Sequence, residues 1–99
     1  MNVLLARATV KAEAVAEIEA AGKRIFEALA RDQPQGFRYT TCRLPDGVTF
    51  ISIWEIDDGA TNPLSSLPEA RAFQEGLKTW MAEPPIYEQL TVAGSYRFF

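Results

Sequence analysis

Arg7, Tyr39, Glu55 and Tyr87 are the residues of this chain best suited to chemistry. An arginine can hold an anion, a buried carboxylate can take a proton, and a phenol can donate or accept one. Strand alternation allows all four to converge on one sheet face. There Glu55 would act as base, with Tyr39 beside it, while Arg7 and Tyr87 hold the substrate. The competing reading is that Arg7 and Glu55 pair with each other, or across the dimer, only to satisfy buried charges. Trp54 carries two readings as well: an anchor under the helices, or a platform on which an aromatic substrate stacks.

No histidine occurs in the chain. That excludes Ser-His and Cys-His nucleophile pairs, a histidine-ligated haem, and most zinc and non-haem iron sites. Asp57 and Asp58 before Gly59 lack the fuller spacing of a calcium loop and read as a turn, so no metal site is expected. Asn62 could bond a carbonyl, but Asn62-Pro63 is a common turn dipeptide. The one cysteine, Cys42, cannot form an internal disulfide and reads as a small buried hydrophobe.

A chain of 99 residues forms one domain, residues 1–99, with a modest core. Its net charge of −3, with scattered basic residues, argues against nucleic acid and anionic membrane as partners. The N-terminal apolar run is too short for a signal peptide, and no segment approaches a membrane span. These features predict a cytoplasmic protein.

The elements that position the candidates are legible from their periods. "NVLLARATV" (2–10) reads as a strand, with Leu4, Ala6, Ala8 and Val10 on one face and Val3, Leu5, Arg7 and Thr9 on the other. The alanines imply a helix lying close. Residues 13–31 carry helical spacing at Val15, Ile18, Gly22, Ile25, Phe26 and Leu29, and "DQPQG" stops them. "GFRYTTCRL" (36–44) alternates, and "PDG" (45–47) follows as a hairpin turn with Gly47 in the left-handed position. "VTFISIWEIDDG" (48–59) is the next strand. Its uncharged phase, Phe50, Trp54 and Ile56, belongs under the helices, and Ile51, Ile53, Glu55 and Asp57 face away. Ser66 and Glu69 form a capping box for a second helix, whose stripe is Ala70, Phe73, Leu77, Trp80 and Met81. A last long strand, 86–99, is interrupted at Gly94.

The order β-α-β-β-α-β predicts a ferredoxin-like α+β sandwich, an antiparallel four-stranded sheet with both helices on one face. The far face then carries Val3, Leu5, Arg7, Ile51, Ile53 and Glu55, joined on this reading by Phe37, Tyr39, Tyr87 and Gln89. A half-apolar face of that extent is seldom left bare. A second copy of the sheet would cover it as a two-fold homodimer, with a cavity between the two sheets.

"FISIWEIDD" (50–58) is similar to the aromatic-Glu-x-x-Asp strand end of a known group, "LPEARAFQEGL" (67–77) to its helix, and "VAGSYRFF" (92–99) to its closing strand. On these segments and the element order the chain resembles the dimeric α+β barrel superfamily, most closely its antibiotic-biosynthesis-monooxygenase-like branch. The resemblance implies a dimeric barrel, with Tyr96 to Phe99 crossing to the partner. It also implies a cofactor-independent monooxygenase acting on a small aromatic or quinol-like substrate in the barrel, with Glu55 or a tyrosine assisting deprotonation. Many members carry a histidine on the second helix, and Phe73 to Met81 contain none. Haem degradation, which needs it, is therefore not implied. The alternative is a non-catalytic dimer that binds a small molecule.

Overall fold

The structure is a computed structural model and describes residues 2–98. The chain runs β1 (Asn2–Thr9), α1 (Val15–Asp32), β2 (Phe37–Arg43), β3 (Thr49–Ile56), α2 (Pro68–Trp80) and β4 (Ile86–Leu90). Short 3-10 turns at Ala12–Ala14 and Pro63–Ser65 lead into the helices. The strands form one antiparallel sheet in the order β2-β3-β1-β4. This is the expected ferredoxin-like α+β arrangement.

Both helices lie on one side of the sheet. Ile25 and Ala28 of α1 pack with Leu67 and Ala70 at the start of α2. Val10, Ala14 and Ile18 form a second cluster that takes in Phe50, Phe73, Trp80 and Met81. Phe73 and Trp80 meet edge to face with ring centroids 6.1 Å apart, and the Trp80 indole N–H donates to Glu17 at 2.8 Å. These two rings are helix–helix contacts, as their spacing implies.

The facing of β2 and β4 differs from expectation. Leu44 N donates to Thr49 O, which makes Pro45–Val48 a four-residue connection. A three-residue turn ending at Gly47 would set Leu44 against Val48 and Tyr39 against Ile53. Val48 moves the register by one, and with a period of two every β2 side chain changes face. Tyr39 therefore lies opposite Trp54 and Arg38 opposite Glu55. The same slip exposes Cys42, which pairs with Ile51 on the face away from the helices. On β4, Tyr87 pairs with Ala6 and joins the helix side, while Ile86, Glu88 and Leu90 face away. A bridge between Val10 and Met81 already sets this parity.

Two element ends also differ. Residues 91–98 hold no strand, so β4 stops at Leu90 rather than running through Gly94. Tyr96 and Phe98 are exposed, and Phe99 lies outside the described residues. Helix α2 begins at Pro68 after Leu67, with no side-chain cap. The Ser66 hydroxyl instead donates to Pro63 O, and Asn62 caps the preceding 3-10 turn by accepting from Leu64 N at 2.9 Å. No helix among the described residues is long and apolar enough to cross a membrane.

The hairpin turn carries a pH-sensitive tie. Gly47 takes φ +79°, and the Asp46 carboxylate accepts from the Thr49 hydroxyl at 2.6 Å and from Val48 N and Thr49 N at 2.9 Å. The Thr49 hydroxyl, then the two amides, hold the Asp46 carboxyl below its ordinary range, with Arg7 adding a smaller pull. A depressed folded value means stabilisation that is complete above the ordinary carboxylate range and lost as pH falls through the folded value. Asp46→Asn is therefore expected to flatten the decline of the urea midpoint between about pH 4 and pH 2. An unchanged acid slope would show that this turn contributes nothing there.

Candidate functional site

The centre of the sheet's helix side is built from small side chains. Ala6 and Ala8 of β1 lie beside Ser52 of β3, with Thr41 of β2 opposite Ser52. The alanines do not bed a close helix. They floor a cavity of about 570 Å³ between the sheet and the two helices. The small side chains of β1 explain the gap, because they supply little volume beneath the helices.

Aromatic side chains stand around this floor. Tyr39 is the hub: it stacks on Phe26 of α1 at 5.0 Å and 14° and meets the Trp54 edge at 6.2 Å and 77°. Phe50, Phe73 and Tyr87 complete the ring-lined wall. The polar groups are few. Thr41 Oγ1 and Ser52 Oγ share a hydrogen bond of 2.9 Å. Asn62 spends its carbonyl oxygen on Leu64 N and keeps its amide N–H groups. The Trp54 indole N–H is buried without a partner, which costs about 1–3 kcal/mol. At the rim, Arg43 donates to Glu19 at 2.6 Å beside Lys23.

Of the five residues singled out from the sequence, the fold brings together three. Tyr39, Trp54 and Tyr87 all line the cavity. Arg7 and Glu55 lie on the opposite face, so the expected convergence of Arg7, Tyr39, Glu55 and Tyr87 does not occur. Arg7 and Glu55 do not pair with each other within the chain either. Glu55 lies opposite Val3, four residues from Arg7 on β1, or about 13 Å along the strand. Its carboxylate is 1% exposed and ion-paired with Arg38, which also donates to Asp57 at 2.5 Å. Arg7 is exposed between Ile51 and Ile86. Glu55 cannot touch a molecule in the cavity, because the sheet lies between them.

The sequence does not single out Phe26, Phe50, Ser52, Glu19 and Arg43, and Asn62 is set aside there as a turn residue. The phenylalanines sit on plain core stripes, and nothing in a stripe says that the core beside it is hollow. The chemistry open to this arrangement is recognition of a flat, largely apolar ring, with Asn62 and the Thr41–Ser52 pair as its polar contacts. Among the described residues no cluster of metal-ligating groups occurs.

Neither a protein-family model nor a curated protein matches the chain. Solved structures do. An antibiotic biosynthesis monooxygenase superposes with a TM-score of 0.78 at 14% identity, over 95% of this chain and 100% of that one. SnoaB of Streptomyces nogalater, a cofactor-independent oxygenase, gives 0.70 at 22% identity, over 97% and 96%. Rv0793 of Mycobacterium tuberculosis gives 0.72 at 12%, over 95% and 96%. At these identities the likeness is one of fold, and it extends over 95–97% of the chain.

Proposed function

We propose that this protein is a cofactor-independent monooxygenase acting on a small, electron-rich, quinol-like aromatic bound between sheet and helices. The observation that carries the reading is the cavity itself, walled by Phe26, Tyr39, Trp54, Phe73 and Tyr87 around a floor of small residues. SnoaB, similar in fold, is a cofactor-independent oxygenase, which supports the same assignment. The site is complete within one chain. The far sheet face, with Leu5, Arg7, Ile51, Ile53 and Ile86, is then free to pair with a second copy as the barrel's dimer contact.

The reaction balances without a bound reductant. A hydroquinone anion gives one electron to dioxygen, the resulting radical pair combines at a ring carbon, and loss of water leaves a hydroxyquinone. One oxygen atom enters the product, the other leaves as water, and the substrate supplies the two electrons. Phe26 and Tyr39 hold the ring, and the hydroxyl proton that Thr41 and Ser52 do not use between themselves is donated to the substrate oxygen as its negative charge develops. The departing proton passes to solvent water, relayed by Tyr39 or by the exposed Tyr87.

The test is oxygen uptake with one- and two-ring hydroquinones, using isotopically labelled dioxygen. Incorporation of one labelled atom per product is expected, with Ser52→Ala lowering kcat/KM roughly tenfold, the worth of one hydrogen bond to a charged oxygen. Glu19, the acid among the cavity's lining residues, is committed to Arg43, and this favours a second reading: a binding protein without turnover. Saturable quinol binding with no enzyme-dependent oxygen uptake would establish that alternative.

A further inference from the structure

The cavity has a side facing the sheet edge, where β2 has no further strand beyond it. Helix α1 passes over this edge and is tied to it at two points. Glu19 pairs with Arg43 at 2.6 Å, and Phe26 stacks on Tyr39 at 5.0 Å. Gly22 stands between these ties on the helix, three residues after Glu19 and four before Phe26. Thr41 stands midway between Arg43 and Tyr39 on the strand. The posts on β2 are about 13 Å apart.

Glycine in the middle of a helix is destabilising relative to alanine. Here no turn or positive φ requires it, and a Cβ built on Gly22 would meet nothing within 4 Å. Gly22 is half-buried and lines the cavity, so the space it leaves is continuous with the cavity. Packing does not explain the missing side chain. Passage does.

We infer that the gap between α1 and β2 at Gly22 is the entrance to the cavity, and that the absence of a side chain there determines which ring systems enter. The inference rests on ligand binding in this cavity, though not on oxygen chemistry. Both posts are able to part. The Glu19–Arg43 pair is half exposed on each side and weakly held, and Phe26 is 37% exposed. A flat ring entering edge-on would pass between Gly22 and Thr41 and come to lie against Tyr39.

The experiment follows exchange of toluene and naphthalene with the full chain by NMR, since apolar cavities of this kind take up such molecules whatever their chemistry. In Gly22→Leu, association and dissociation of naphthalene should both slow by roughly tenfold or more, while Kd stays within about threefold. Toluene should be slowed less. The variant's melting temperature should equal or exceed that of the parent, because leucine favours helix. Unchanged exchange rates in Gly22→Leu would overturn the inference, as would failure of the parent to take up either molecule. A weaker Kd with unchanged association would also overturn it, since Gly22 would then be a wall rather than a doorway. Slowed exchange with no oxygen uptake from quinols would leave the entrance standing and remove the oxygenase reading.

Discussion

Arg38→Met is expected to destabilise the fold by about 3 kcal/mol, on the order of 15 °C in melting temperature for a domain of this size. Arg38 is the cation paired with Glu55, whose carboxylate is 1% exposed. Removing it leaves a negative charge out of water with Asp57 close by. Because Arg38 itself is 48% exposed, the loss belongs at the low end of the range for broken buried pairs. Glu55→Gln should cost less, since Arg38 keeps Asp57 at 2.5 Å. Adding Glu55→Gln to Arg38→Met should recover part of the loss, because the stranded charge is gone. In the same Glu55→Gln protein, quinol binding and turnover should stay close to the parent's. Loss of turnover without loss of stability would restore Glu55 as a base and contradict the separation of the two sheet faces.

Gly76→Ala is the second large effect, and it runs against helix propensity. Alanine in the middle of α2 would ordinarily stabilise by up to about 1 kcal/mol. Here its Cβ would come within 2.2 Å of the Trp80 ring. Trp80 cannot simply swing aside. It is held edge to face by Phe73, bonded to Glu17 of α1, and packed into the cluster of Val10, Ala14 and Ile18. Overpacking of this kind costs about 1–3 kcal/mol beyond the propensity gain. Chemical denaturation of Gly76→Ala should therefore show a net loss, and Gly76→Ala with Trp80→Leu should recover it. Equal or greater stability of Gly76→Ala would mean that Trp80 is not fixed between the helices.

Much of this molecule is written in local pattern. The helices follow from their apolar spacing, and the central hairpin from alternation around Pro45, Asp46 and Gly47. Trp54 is assigned correctly to the helices because its phase of β3 carries no charge. What local pattern does not carry is parity. Val48 decides whether the connection is three or four residues long, and three misplacements follow from that one residue. Tyr39 goes to the helix side, Cys42 to the exposed side and Arg38 opposite Glu55, whereas Arg7 misses Glu55 because the β1–β3 register sets Glu55 against Val3. Face membership also says nothing about separation. Ala6 and Ala8 read equally well as the bed of a close helix or the floor of a cavity, and only the paths of α1 and α2 decide between them.

The most direct measurement of the central claim is a crystal structure of the protein with a naphthohydroquinone, grown without oxygen. The ring is expected between Tyr39, Trp54 and Phe73, with one of its oxygens accepting from the Thr41–Ser52 hydroxyl pair. A ring bound instead on the far sheet face, against Arg7, Ile51 and Glu55, would contradict it.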